Sequence, residues 1–277
     1  MAYYLVSFDD YRGSKHHNLG DFIYSLVLHE FMKKHGVVPY YVRRDELSVL
    51  RFEEDDILVL SGFFPTKNGN VIINDTCKQV RYVGFHYNLY EQPLLTAPSG
   101  SRIGCRDFAT YDRMKERFQG SYVSLCPSVM SGILGLGSVE GPRDKVVFID
   151  CDKDFMKSKS AEGESVSFTH WVSHMFRSQH LMMDAAMRRL KAYKSMAKKV
   201  YTTRLHAYLP CVALGIPVEY VGDIDGRTEV SRIVTPETIE ELSALVEANF
   251  EHEIFGAGGD VHEELHDKCM DLKSKIL

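Results

Sequence analysis

Arg204 and His206 stand two residues apart in the stretch from Tyr201 to Val221, YTTRLHAYLPCVALGIPVEYV. The stretch reads as a strand end, a short apolar helix, a turn at Gly215-Ile216-Pro217 and a further strand. In an open parallel sheet, ligands bind beyond the carboxyl ends of strands, where helix starts present backbone donors. An arginine there grips a phosphate or carboxylate through two parallel bonds, and a histidine binds an anion or passes a proton near neutral pH. The pair therefore reads as an anion site. The plainer alternative pairs Arg204 with a surface acid and packs His206 into the turn.

Two further groups have the same character. Cys105-Arg106-Asp107 ends a strand just ahead of a helix starting near Phe108, so Arg106 is poised at a helix N-terminus, with Asp107 as its cap or as a partner in a local salt bridge. His16-His17-Asn18-Leu19-Gly20-Asp21 joins the first strand to the first helix. In a Rossmann-like half that loop faces the ligand cleft. There Gly20 lets a ligand approach the backbone, and Asn18 and Asp21 have the groups to hold sugar hydroxyls. The alternative is a helix cap at Asp21 within a polar loop.

Other patterns carry less. His170 and His174 are four apart and would share a helix face, but no glutamate accompanies them as in a zinc protease signature, and no metal site is expected. The glycines from Gly132 to Gly141 lack both GxGxxG spacing and a Walker lysine, and no GxSxG elbow is present.

The elements that must position these residues follow from the apolar pattern. Short apolar runs at Tyr3 to Phe8, Val37 to Val42, Ile57 to Leu60, Val71 to Ile73, Tyr82 to Phe85, Ser101 to Cys105 and Tyr122 to Leu125 predict strands. Helical spacing from Asp21 to Gly36 and from Phe108 to Phe118 alternates with them, which implies a parallel sheet. After a glycine-, serine- and charge-rich stretch from Ser131 to Asp144, strands at Val146 to Ile149 and Val166 to Phe168 precede a helical stripe from Leu181 to Lys199. Amphipathic helices near Pro236 to Phe250 and Val261 to Ile276 close the chain. The expected division is between residues 1–140 and residues 141–277, the second part including the closing helices.

Composition narrows the class. A chain of 277 residues with 44% hydrophobic and 26% charged residues folds as an ordinary globular protein, and a net charge of −5 speaks against nonspecific nucleic-acid binding. The six cysteines show no CxxC pair and read as reduced and mostly buried. The opening apolar run is too short for a signal peptide or membrane span, so a cytoplasmic location and no transmembrane segment are expected.

Taken together, HHNLGD, GCRDFATYDRM and TTRLHAYLPCVALGIPVEYV resemble, in order and spacing over most of the chain, the motifs of the polysaccharide pyruvyl transferase family. The stretch from Arg188 to Val200 also resembles the helix that leads into the last motif. The resemblance implies an α/β fold of two Rossmann-like domains in a glycosyltransferase-B-like architecture. It also implies transfer of a pyruvyl group from phosphoenolpyruvate to sugar hydroxyls as a cyclic ketal. By the same resemblance Arg204, His206 and Arg106 bind the donor, with Arg227 standing for the basic residue after the last strand. His17, Asn18, Gly20 and Asp21 form the cleft loop on the acceptor side. His206 is the candidate acid or phosphate ligand, and Asp21 or Asp107 the candidate base. The sequence departs from the family where many members have an Asp-Pro step and this chain has Cys126-Pro127, and it is short for the family.

No cofactor is expected beyond an anionic small-molecule donor, and the partner is a carbohydrate acceptor. Two other functions use the same scaffold: a glycosyltransferase with a nucleotide-sugar donor, and a non-catalytic module that binds a glycan or an anionic metabolite.

Overall fold

The structure, a computed structural model, describes residues 1–8, 16–64, 70–87, 94–95, 101–173 and 178–276. In chain order its first elements are β1 (Tyr3–Ser7), β2 (His16–Asn18), α1 (Leu19–Lys34), β3 (Tyr40–Arg43), β4 (Ile57–Phe64), β5 (Asn70–Val71) and β6 (Gln79–Tyr87). There follow β7 (Leu94–Leu95), β8 (Ile103–Cys105), α2 (Phe108–Met114), β9 (Ser121–Val123), β10 (Lys145–Ile149), α3 (Lys153–Ser158), β11 (Ser165–Phe168) and β12 (Trp171–Ser173). The chain continues through α4 (Gln179–Met196), β13 (Ala197–Thr202), α5 (Leu205–Ala213), β14 (Val218–Tyr220), α6 (Val230–Ile233), α7 (Ile239–Phe255) and α8 (His262–Ser274). This is an α/β protein whose two larger sheets, of six and four strands, are parallel throughout.

The chain divides into two compact units. One comprises Met1–Tyr11, His29–Cys126 and Leu245–Leu277, the other Arg12–Leu28 and Pro127–Ala244. The expected division between residues 140 and 141 falls inside the second unit. The glycine-rich stretch there is packed rather than extended: a Cβ on Gly132 would stand 2.1 Å from the Ala213 carbonyl oxygen, and one on Gly141 would stand 2.1 Å from that of Ser195. Glycine is needed at both positions because two backbones touch.

The first unit holds the six-stranded sheet, in the order β3-β1-β4-β6-β8-β9. Its inner strands are apolar on both faces, as a covered parallel sheet requires: Leu58, Val59 and Leu60 of β4 and Val83 and Phe85 of β6 are fully buried. Edge strand β3 shows the opposite pattern, with Tyr40 63% exposed. The second unit holds the four-stranded sheet, β11-β10-β13-β14. One of its faces carries Phe148 stacked on Tyr201 at 5.6 Å, with Phe155 edge-on to both. Each sheet begins in its interior, at β1 or at β10, and sends the next strand of the sheet to one side and the rest to the other. In doubly wound sheets that reversal opens the crevice where ligands bind.

Several expectations change. The helix expected from Leu181 to Lys199 ends at Met196, and strand β13 starts at Ala197, because Ala197, Val200 and Tyr201 are needed in the sheet core. His16–Asn18, expected as loop between the first strand and the first helix, form strand β2, paired antiparallel with β12. His170 and His174, set aside above as a metal pair, do not share a described helix: the chain after His170 is a strand, and His174 lies outside the described residues. All six cysteines are free, five of them buried and Cys151 half-buried. Among the described residues no helix is long and apolar enough to cross a membrane.

Candidate functional site

The order of the four-stranded sheet reverses between β10 and β13, and the residues that follow these two strands meet at their carboxyl ends. Asp150, immediately after β10, adopts a left-handed backbone with φ of 53°. That conformation is costly for a residue with a Cβ and persists where surrounding bonds hold it. Here they do: the Asp150 N–H donates to the Phe168 carbonyl, and its own carbonyl accepts from the Thr203 hydroxyl at 3.0 Å. Its carboxylate accepts the His170 N–H at 3.1 Å and Arg204 Nε at 2.7 Å. Burial alone would raise the Asp150 carboxyl, but bonds from Thr169, the His170 amide and Arg204 outweigh it and hold the group below the usual carboxylate range.

Arg204 occupies the cap position of α5, with its own N–H on Thr202 Oγ1 at 2.9 Å. Its guanidinium is fixed at one corner by Asp150 and lies over the Trp171 ring, 5.1 Å from the centroid. Among the described residues its two Nη nitrogens make no hydrogen bond or ion pair, and the side chain is 30% exposed. An arginine held by Nε with its Nη pair open is arranged to take a planar or tetrahedral oxyanion in fork geometry. The Arg204 side chain makes no capping bond to α5, and the start of a helix attracts anions.

His206 sits in that first turn, 8% exposed, with the Tyr24 ring edge-on at 5.2 Å. Gly20 packs against it: a Cβ on Gly20 would lie 2.9 Å from both His206 Cβ and Nδ1. The space next to Gly20, expected to admit a ligand, is filled by His206. Substituting Gly20 with alanine is therefore expected to displace His206 and to destabilise the protein by roughly 1–3 kcal/mol, as overpacking does. A urea midpoint equal to that of the wild type would show that this contact is absent.

The rest of the HHNLGD loop is brought to the same unit but used differently from expectation. His17 is buried, edge-on to Phe22. Asn18, rather than Asp21, caps α1, its Oδ1 accepting the Gly20 N–H at 3.1 Å. Its Nδ2 reaches Asp21 Oδ1 at 3.5 Å. Asn18 also pairs directly with Trp171 across the β2-β12 ribbon, and the Leu19 N–H donates to the His170 carbonyl at 2.7 Å. Two sequence motifs about 190 residues apart thus meet in one unit (position 204 against positions 16 to 21). Arg227 lies on an exposed turn, where its Nε and Nη2 are held by Asp225 at 2.9 and 2.6 Å.

Arg106 and Asp107 belong to the first unit, at the carboxyl end of β8. Asp107 is fully buried and caps α2 through Thr110 N–H at 2.9 Å. Its Oδ2 lies 2.6 Å from His86 Nδ1 and within 3.1 Å of Arg106 Nε and Nη2. Burial would raise this carboxyl, but His86 and Arg106 beside it hold it far below the usual range. A carboxylate stabilised in this way is a weak base, so the base role expected of Asp107 gives way to that of an anchor. Arg106 is itself 6% exposed and engaged with that anchor.

Asp150, Trp171 and His86 were not singled out from the sequence. Asp150 carried a usable signal, since it directly follows the strand that opens the second half of the chain. No family model matches this chain, and no curated protein does. Among solved structures it is similar to a functionally uncharacterised protein from Klebsiella pneumoniae subsp. pneumoniae, with a TM-score of 0.51 and 12% identity over 83% of this chain and 86% of that one, a likeness of fold alone.

Proposed function

We propose that the protein is a carbohydrate-modifying transferase that holds phosphoenolpyruvate at the carboxyl end of the four-stranded sheet and transfers its pyruvyl group to sugar hydroxyls. The observation that carries this reading is Arg204, fixed through Nε by Asp150 at the reversal point of the sheet, with its Nη pair open among the described residues in front of an uncapped helix. Phosphoenolpyruvate carries a phosphate and a carboxylate, so its pocket needs a fork donor and backbone amides together. The resemblance of the three motifs to those of the pyruvyl transferases supplies the choice of donor, and with it the glycosyltransferase-B-like arrangement of two Rossmann-like domains and a cytoplasmic location.

In this reading Arg204 binds the donor, and His206 protonates the enol carbon or binds the phosphate. The carbon next to the protonated one then takes the acceptor oxygen, while a base removes the hydroxyl proton. Attack by a second hydroxyl expels inorganic phosphate, which balances one phosphoenolpyruvate and one diol against one ketal and one phosphate. Asp21 is the candidate base, since Asp107 is held as an anchor. Arg106 and Arg227 contribute less to the donor site, because Asp107 and Asp225 already hold them.

A thermal-unfolding series tests the donor. Phosphoenolpyruvate at a hundredfold excess over its Kd is expected to stabilise the protein by about 2.7 kcal/mol, and nucleotide sugars are expected to leave the midpoint unchanged. Stabilisation by a nucleotide sugar alone would replace the pyruvyl donor with a glycosyl donor. Tight donor binding with no turnover on any acceptor would point to a binding module.

A further inference from the structure

Trp171 is the only tryptophan in the chain, and it is 48% exposed, whereas Phe148 and Tyr201 of the four-stranded sheet in the same unit are buried. Its ring lies under the Arg204 guanidinium. On the β2-β12 ribbon it stands directly opposite Asn18, and directly opposed residues of an antiparallel pair project from the same face with Cβ atoms about 5 Å apart. Asn18 in turn reaches Asp21. One small surface therefore combines a half-open indole, an amide, a carboxylate and, at its edge, the cation assigned to the donor.

That combination matches a pyranose ring. A sugar presents one flat patch of C–H groups and a rim of hydroxyls that both donate and accept. An aromatic face covers the patch, with its negative quadrupole against the C–H dipoles, and short polar side chains take the rim. We propose that Trp171, Asn18 and Asp21 form the acceptor subsite, with Trp171 as the stacking platform for the saccharide ring that receives the transferred group. The proposal deepens the reading given above and rests on it for the adjoining donor, but the platform itself stands on geometry that does not involve phosphoenolpyruvate. It also accounts for an exposed indole next to the anion site: a donor held by Arg204 must have its acceptor ring within bonding distance, and Trp171 is a flat surface in contact with that guanidinium.

Because Trp171 is alone, its fluorescence reports this surface without interference. The experiment titrates the full chain with the methyl α- and β-pyranosides of galactose, glucose and mannose, and separately with uridine and adenosine monophosphates, while thermal unfolding with phosphoenolpyruvate runs in parallel. A saturable blue shift with at least one pyranoside is expected. By saturation-transfer NMR, Trp171→Leu is expected to weaken that sugar about tenfold, and Trp171→Phe to keep most of the binding. Asp21→Asn, which retains the indole, is expected to reduce the fluorescence response. No saturable change with any pyranoside overturns the platform, and so does a response to the nucleotides alone, which would make Trp171 a nucleobase contact. The two readings fail separately: a sugar response without stabilisation by phosphoenolpyruvate removes the donor and keeps the platform, whereas stabilisation without a sugar response does the reverse.

Discussion

Replacing Arg204 with alanine is expected to weaken phosphoenolpyruvate binding by roughly 1.5–3 kcal/mol, the scale of a hydrogen bond to a charged group, while the sheets remain folded. The size follows from the position of the guanidinium. Asp150 takes only its Nε, so among the described residues the two Nη donors are available to an incoming oxyanion. Lysine is expected to rescue little of the loss, since an ammonium keeps the charge but not the fork. Calorimetric titration of the wild type and both variants checks this, and equal affinities would remove Arg204 from the donor site. Far-UV circular dichroism separates loss of binding from loss of structure, because Asp150 loses its cationic partner in the alanine variant.

The second large effect is a loss of stability in acid that originates at His170. This side chain is fully buried, with Nε2 3.0 Å from the Tyr193 hydroxyl and no hydrogen-bond partner at Nδ1 among the described residues. Burial pushes its imidazole down to about 3; Asp150 opposes the shift, and Arg189 and Arg204 add to it. The ordinary value in an unfolded chain is about 6.5. Above that pH the ring is neutral in both states and costs nothing. Below it the unfolded chain binds a proton that the folded chain refuses, so stability present at neutral pH is lost as the pH falls from about 6.5 toward 3, at up to about 1.4 kcal/mol per pH unit for this one group. The total is on the order of several kcal/mol, a large share of a typical domain's stability. Urea unfolding at pH 7, 6 and 5 is expected to show this slope in the wild type and a flatter one in His170→Gln. Parallel slopes would mean that the ring titrates normally.

Much of the architecture could be read from the sequence because the strands of a covered parallel sheet are short apolar runs, and runs such as ILVL and VVFI have few other interpretations at that length. The elements that escaped are those without such a signature. Strands β2 and β12 are three residues each, HHN and WVS, and exist because they pair with one another across about 150 residues of chain rather than because of any local preference. The same limit applies to the site. Arg204 and His206 were visible from their place after an apolar strand. Asp150 also follows an apolar strand, but its hold on Arg204, and the place of Trp171 under that guanidinium, became visible only once the reversal between β10 and β13 put the two strand ends side by side. Gly20 was noticed for the right reason, want of a side chain, but the occupant of the space is His206. His86 is a single histidine in RYVGFHY, and nothing in that string announces the buried aspartate and arginine that surround it.

The discontinuous make-up of the second unit has a consequence for how the polypeptide comes to exist. Residues 16–28 leave the ribosome well before the groups that complete their structure: the ribbon partner at 171–173 and the imidazole at 206 are made about 150 and 190 residues later (171 against 18, and 206 against 20). Until then β2 has no strand to pair with and the opening turn of α1 lacks its neighbour. Closing so long a loop is an entropic step that comes late, and it makes the ribbon the expected last piece to assemble. For the same reason no single cut yields two self-sufficient halves: a fragment starting at Pro127 would lack its N-terminal strand and helix start, which would have to be supplied as a separate peptide.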